Sequence, residues 1–531
     1  MEFLKNQNGI SKVNLLTFFT LILGATISMP IIFILIETIK INNFNFFSIF
    51  SEYLIETFQL VVYTCILSII LAVIPAWIIT FYKIKYQNIF ELLLILPLSI
   101  PGYIMAFTYS DILGFNGYFD IFLQTYFKQK MNLDVLSIEW LAVFLALSLY
   151  PYVYLTTRIV FKKISNTYLN VSLNLGVSQF KTFFKITLPL SISAILSGTL
   201  LVMMEVLNDY GAVNYFGIKT FSVGIFKYWF SMDDKASAII LSFFLLVIVI
   251  LLIIVSKIIK KNDNKIKHHI KESPNINKRI LENKFYKITV YYLISIPIFF
   301  GLIIPLTFII NNVRVNFHKY EWLELGNVFL NSFYVAFISS IIITITAFFI
   351  LCVKRYTNSK NIKIATSFLS TGYAIPGAII GLSVMLIIQY LNPNLNFLMG
   401  TISLLIYAYI FRFIAVAIFP LESSFQQQPM KFDQLGKTLN LTTFEIFKKI
   451  NFPLSKFAII SSFLLVFIDV FKELPLTLIL RPFNYETLAT QAYQYAHEEM
   501  LSYSSIYSIC IIIVCSIVII ISKKNLKSVK S

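Results

Sequence analysis

Long apolar runs alternate with short polar stretches along the whole of this chain. Runs at 14–37, 57–81, 89–110, 138–158, 189–210, 236–256, 288–311, 328–352, 364–390, 398–420, 454–474 and 503–522 are long and apolar enough to cross a bilayer as helices. The pattern predicts an all-α polytopic membrane protein of about twelve spans. Two runs are interrupted, by Ile100-Pro101-Gly102 and by Ile375-Pro376-Gly377. A Pro-Gly pair frees backbone groups at membrane depth, so each break is either a simple kink or part of a wet pathway.

The polar stretches carry a repeat. Residues 166–190 read NTYLNVSLNLGVSQFKTFFKITLPL, and residues 428–454 read QPMKFDQLGKTLNLTTFEIFKKINFPL. An offset of 264 residues places Asn440 on Gly176, Ile450 on Ile186 and Pro453 on Pro189. Each copy reads as an amphipathic segment, a turn residue, and a second amphipathic segment. A proline then opens the next apolar run, a position that the start of a helix tolerates. Gly176 predicts a left-handed turn, and Asn440 can enter the same region. The Pro-Gly breaks are offset by 275 residues instead, so the first half carries an insertion after its third run, around 111–134. The predicted organisation is an N-terminal span and outer loop over 1–50 and a first transmembrane domain over 51–256. A basic linker over 257–287 and a further span with its outer loop over 288–326 follow. A second transmembrane domain over 327–522 and a tail over 523–531 complete the chain.

The repeated segment resembles the EAA loop of ABC importer permeases, E-A-A-x-x-x-G-x9-I-x-L-P. The spacing from turn residue to Ile to Pro is kept in both copies. The front of the motif is not: Asn170, Val171 and Ser172 stand in the first copy, and Gln434, Leu435 and Gly436 in the second. The resemblance implies two tandem type I permease repeats. It also implies that Asn170, Gly176, Ile186 and Pro189, with Gln434, Gly436, Asn440, Ile450 and Pro453, form loops that couple to a partner ATPase, itself a homodimer. An ordinary interfacial amphipathic helix is the alternative reading of either copy.

Charge agrees with a membrane class. The 531 residues are 58% hydrophobic and 13% charged, with net charge +17; mean hydropathy is +0.78. With the N-terminus placed in the cytoplasm, most of the 43 Lys and Arg fall on the cytoplasmic side, so the positive-inside rule accounts for the basic balance without nucleic acid. Both termini and both repeated loops then lie in the cytoplasm of a bacterial inner-membrane protein. The N-terminal run is too long for a signal-peptide core and reads as an uncleaved span. Ten basic residues between 257 and 287, with His268-His269, read as a solvated linker beside anionic headgroups. The cysteines Cys65, Cys352, Cys510 and Cys515 have neither zinc nor secreted-disulfide spacing. No G-x-x-x-x-G-K-[ST] phosphate loop occurs. The chain therefore reads as neither an ATPase nor a hydrolase, and the loop resemblance implies a transport subunit without a cofactor or a stable metal of its own, with ATP and Mg used by a partner.

The stretches EVLNDYGAVNYFGIKTFSVGIFKYWF and ELPLTLILRPF, at 205–230 and 473–483, resemble the fused two-domain permeases of ferric iron importers. That resemblance implies a binding protein that delivers substrate outside and ATP-driven rocking of the two halves. Thiamine and phosphonate importers share the fused layout. A secondary transporter also shows twelve spans with internal repeats, but would lack docking loops. The segments at 214–237 and 476–503 are too broken to span and predict short helices at the outer surface.

Four acids complete the reading. Glu205 and Asp209 end the fifth run, and Asp469 and Glu473 end the eleventh. The i, i+4 spacing places each pair on one helix face, and the offset of 264 superimposes the pairs. Carboxylates in apolar spans usually face a bundle interior or a wet cavity, which makes these four candidates for a cation pathway. Otherwise they lie at the interface, cap helix ends, or pair with neighbours such as Lys472 and Arg481.

Overall fold

The computed structural model describes residues 2–41, 47–128, 133–163, 179–267, 278, 283–357, 359–391 and 397–528. Among these residues ten helices are long and apolar enough to cross a membrane: Thr17–Lys40, Phe50–Phe81, Ile138–Lys162, Phe183–Asn208, Lys235–Ile259, Lys284–Val315, Trp322–Thr357, Ile402–Gln427, Phe447–Phe471 and Leu501–Asn525. Helices satisfy their own backbone groups, which is what lipid demands.

The third and ninth runs behave differently. Gln87–Ser99 meets Gly102–Phe127 at 91°, and Lys360–Ala374 meets Gly377–Tyr390 at 115°. These are sharp breaks, well beyond a proline kink. Ile100 and Ile375 are extended, at ψ 109° and 123°. A residue before proline is disfavoured in the helical region, and at these two breaks it is extended and a new helix opens after the proline.

Both repeats handle the proline that closes the repeated segment in the same way. Phe183–Thr187 and Phe447–Asn451 are single π turns, immediately before Leu188-Pro189 and Phe452-Pro453. Pro189 and Pro453 lack an N–H, and a wider turn accommodates the missing ladder bond without ending the helix.

The chain forms two compact units that do not follow its linear order. One comprises Met1–Asn42, Glu321–Gln491 and Val514–Ser531; the other comprises Asn43–Tyr320 and Ala492–Ile513. The N-terminal helix thus belongs with the second repeat. Tyr407 Oη donates to the Thr26 carbonyl at 2.5 Å, and Phe33 packs edge-on to Tyr390 at 5.3 Å. The helix Lys284–Ile298 and its continuation Ile304–Val315 belong with the first repeat. There Tyr109 Oη donates to the Phe300 carbonyl at 2.5 Å, and a Cβ on Gly301 would stand 3.0 Å from the Leu147 carbonyl.

Within the first-repeat unit, Phe47–Phe81, Ile138–Lys163 and Leu188–Asn208 pack on one another. A Cβ on Gly198 would stand 2.7 Å from Val153 Cα, so only glycine permits that crossing. The repeat-related crossing in the other unit uses Ser462, whose hydroxyl donates to the Ala417 carbonyl at 3.0 Å. There Phe329, Phe333 and Phe337 meet Phe471, Phe467 and Phe463 in turn, at 6.4, 5.7 and 5.6 Å.

The sixth helix runs past its expected end, to Lys267. No glycine or proline interrupts the sequence before Pro274, and lysines suit a helix C-terminus. His268 and His269 lie outside the described residues. The two broken outer segments form short helices, Gly211–Tyr215 and Phe221–Phe226 in one unit, and Pro475–Leu480 and Leu488–His497 along the other segment.

Candidate coupling elbow and carboxylate sites

The second copy of the repeated segment is a helical elbow. Its first arm is Lys431–Thr438. Asn440 stands in the left-handed region at φ 57°. The Leu441 N–H bonds the Gly436 carbonyl at 3.1 Å, and the Asn440 N–H bonds the Lys437 carbonyl at 3.0 Å. That pair of bonds is a Schellman stop, which satisfies the terminal carbonyls of the arm. The second arm starts on a capping box. The Thr442 N–H bonds Glu445 Oε2 at 2.8 Å, and Thr442 Oγ1 accepts from the Glu445 N–H at 3.3 Å. The Thr442 N–H and hydroxyl together, with Lys449 nearby, hold the Glu445 carboxyl below its ordinary range.

Gly436 sets how closely the arms approach. A Cβ there would stand 2.8 Å from Ile446 Cγ1 and 3.1 Å from Ile450 Cδ1. Ile450 is therefore the packing partner of Gly436 across the elbow. Gln434 lies exposed on the outer face, and Pro453 is exposed at the head of the following helix. On that outer face Met430, Phe432, Leu435 and Leu439 are 42–73% exposed. Asp433, on the inner face, is buried and bonds Arg355 Nε at 2.6 Å. Arg355 also donates to the carbonyls of Phe425, at 2.8 Å, and Gln428, at 3.2 Å. One guanidinium thereby ties the elbow to the helix Trp322–Thr357. Arg355 had no sequence signal beyond being a cation at a span end.

In the first copy Ile186 is half-buried in the π turn and Pro189 is exposed. Asn170 and Gly176 lie outside the described residues.

The four acids divide into two kinds. Asp209 and Glu473 fall beyond their helices, which end at Asn208 and Phe471, so neither pair shares one helix face. Each turns instead to cap the next short helix. Asp209 Oδ1 accepts from the Ala212 N–H at 2.9 Å. Glu473 accepts from the N–H groups of Leu476 and Thr477, at 3.0 and 2.9 Å, and from the Thr477 hydroxyl at 2.7 Å. Both lean on the glycine of a Pro-Gly break. A Cβ on Gly102 would stand 3.1 Å from Asp209 Oδ2, and one on Gly377 would stand 2.9 Å from Glu473 Oε1. The breaks thus have packing partners, as freed backbone requires.

The repeat is asymmetric at this point. Buried Arg412 pairs with Glu473 at 3.2 Å. At the position 264 residues earlier stands Ser148, whose hydroxyl bonds the Leu145 carbonyl at 3.3 Å. Of the other acids, Glu205 accepts from Tyr152 Oη at 3.3 Å, and Asp469 pairs with Lys472 at 3.5 Å. Arg481 turns away to Glu486 and pairs with neither acid.

Comparison with known proteins fits this architecture. Residues 66–262 and 348–528 each match the family of binding-protein-dependent transport system inner membrane components. The chain belongs to that family. It is therefore a multi-pass permease subunit of a binding-protein-dependent ABC importer, with two permease domains fused in one polypeptide. It is 23% identical over 526 residues to the Fe(3+)-transport system permease protein FbpB 2 of Haemophilus influenzae, an alignment that covers 96% of this chain and 98% of that one. Shorter matches include the sulfate transport system permease protein CysT of Salmonella typhimurium, 27% identical over 27% of this chain and 50% of that one. The molybdenum transport system permease protein ModB of Haemophilus influenzae is 26% identical over 27% of this chain and 62% of that one.

Proposed function

We propose that this permease moves ferric iron from an extracytoplasmic binding protein into the cytoplasm, driven by ATP and Mg on a separate ATPase homodimer. The end-to-end similarity to an iron permease carries this reading, because the sulfate and molybdenum relatives align with about a quarter of the chain. The ATPase docks on the elbows. Exposed Phe432 and Leu435 on the first arm, with Met430 and Leu439 at its two ends, support this, since such a cluster of large apolar side chains is unusual at a surface without a partner. Both termini and both elbows are cytoplasmic in this reading. ATP binding draws the elbows together and shifts the permease between two packings.

Glu205, Asp209 and Asp469 guide the cation, whereas Glu473 is committed to Arg412 and to a helix cap. Glu205 and Asp469 contact the substrate only in passing, because a tight site would trap the ion.

The test is radioiron uptake by proteoliposomes holding the permease, its ATPase and its binding protein. Iron uptake above that of sulfate or molybdate is expected, and Leu435→Asp should abolish both uptake and recovery of the ATPase in a pull-down. Glu205→Gln with Asp469→Asn should cut uptake at least tenfold with ATPase recovery unchanged. Sulfate uptake without iron uptake would overturn the substrate. An unaltered pull-down for Leu435→Asp would overturn the docking face.

A further inference from the structure

The unit built on the first repeat holds a cavity of about 390 Å³ at the end opposite its elbow. It lies where the two halves of the sequence cease to match. Gly114, Phe115, Asn116, Gly117 and Leu136 form one wall; the first four lie within the insertion that the second half lacks, and Leu136 lies just after it. That wall is a stiff turn. Asn116 stands at φ 54°, its N–H bonds Asp120 Oδ2 at 3.2 Å, and the Gly117 N–H bonds the Gly114 carbonyl at 2.9 Å. A Cβ on Gly114 would stand 2.4 Å from the Ser110 carbonyl.

Beside Asn116, the polar lining is Ser110, Asp111, Asn214, Tyr215, His497 and Glu499, with no Lys or Arg among the lining residues. Ser110 Oγ bonds Tyr215 Oη at 3.3 Å, and the Asn214 amide donates to Tyr493 Oη at 2.7 Å, which fixes the orientation of both. Glu499 is held on the opposite rim in the left-handed region, at φ 61°. There it ends a helix through bonds from its own N–H to the Ala496 carbonyl and from the Met500 N–H to the Tyr495 carbonyl. Glycine is the usual occupant of that position, so a glutamate there is a side chain kept at a conformational cost.

The two carboxylates, with no Lys or Arg in the lining, repel a sulfate-like oxyanion and attract a multiply charged cation. Oxygen donors suit a hard one. Among the described residues no three His, Cys, Asp or Glu side chains converge closely enough to hold a bare metal ion. The volume is that of a small-molecule site.

We propose that this cavity is the outer receiving site for a trivalent cation still carrying its water or small chelating ligands. This rests on the ferric iron reading. Asp111 and Glu499 attract the charge, and Tyr215 and Asn214 bond the ligand shell.

Hexaamminecobalt(III), a trivalent cation that exchanges no ligands, separates this cavity from the transport assignment. Titrated into the intact complex by calorimetry, it should bind the wild type, and Asp111→Asn with Glu499→Gln should weaken that binding at least tenfold. The same double variant should lose at least tenfold in radioiron uptake while the ATPase still co-purifies. Glu499→Gly relieves the left-handed turn, so it should melt no lower than wild type and still lose binding. Equal binding in wild type and double variant, with wild-type iron uptake normal, overturns the cavity alone. Wild-type uptake of sulfate in place of iron overturns the proposed function. Spermidine, a trivalent polyamine, displacing the cobalt complex and being transported in place of iron overturns the identity of the ligand as a metal ion.

Discussion

Glu473 shows how a residue that is prominent in the sequence acquires a different role in three dimensions. An acid at the end of an apolar run reads as a pathway group. Its two oxygens are instead taken by two backbone N–H groups, a hydroxyl and a guanidinium. Arg412 was visible as a cation within a span, but its partner lies 61 residues away in sequence, and no local pattern joins them. The glycine of the break was legible; that its missing Cβ makes room for the ion pair was not. Removing one partner of a buried pair leaves an uncompensated charge. Arg412→Gln should therefore cost about 3–5 kcal/mol, whereas Arg412→Gln with Glu473→Gln should recover most of that loss. Thermal unfolding of the purified complex reads the difference. A double variant no more stable than Arg412→Gln alone would show that Glu473 contributes as a charged cap independently of Arg412.

The elbow was the most legible element. Its turn, its second arm and its closing proline all follow from local chemistry: an Asn that tolerates positive φ, a Thr-x-x-Glu box, and a residue without an N–H. What the sequence could not supply is the anchoring of the elbow by Arg355, because that depends on which helix lies beside it. The angles at the Pro-Gly breaks were equally hidden. A proline announces an interruption, and only packing decides whether the chain bends slightly or turns through 91°. Asn440 offers a clean test at this scale. Asn440→Gly should retain uptake, since glycine enters the left-handed region freely. Asn440→Val should cost about 1–2 kcal/mol at the turn, misdirect the second arm and reduce ATPase recovery several-fold, with membrane insertion unchanged. Equal ATPase recovery by the valine and glycine variants would remove the turn from any part in coupling.

At the scale of the molecule, the count of twelve apolar runs was legible and the composition of the compact units was not. Hydropathy reports length and orientation, and it is silent on which helices pack together, because lipid is as apolar as a neighbouring helix. The helix Glu2–Lys40 precedes the first repeat yet packs on Lys360–Leu369 and Gly377–Leu391 of the second. The helix Lys284–Ile298 precedes the second repeat yet packs on Phe47–Phe81 of the first. The basic stretch between 257 and 287 therefore lies within the first-repeat unit, between the body of that repeat and the helix Lys284–Ile298. Cutting the chain within 268–277 and expressing both pieces together should restore iron uptake, because each unit can still be assembled from its own segments. Either piece alone should be degraded: the first would leave Glu2–Lys40 without its partners, and the second would do the same to Lys284–Ile298. Pulse-chase half-lives and uptake read the two outcomes. Stable accumulation of the first piece alone would mean that the N-terminal helix does not need the second repeat. Loss of uptake with both pieces present and inserted would give the linker a role beyond connection.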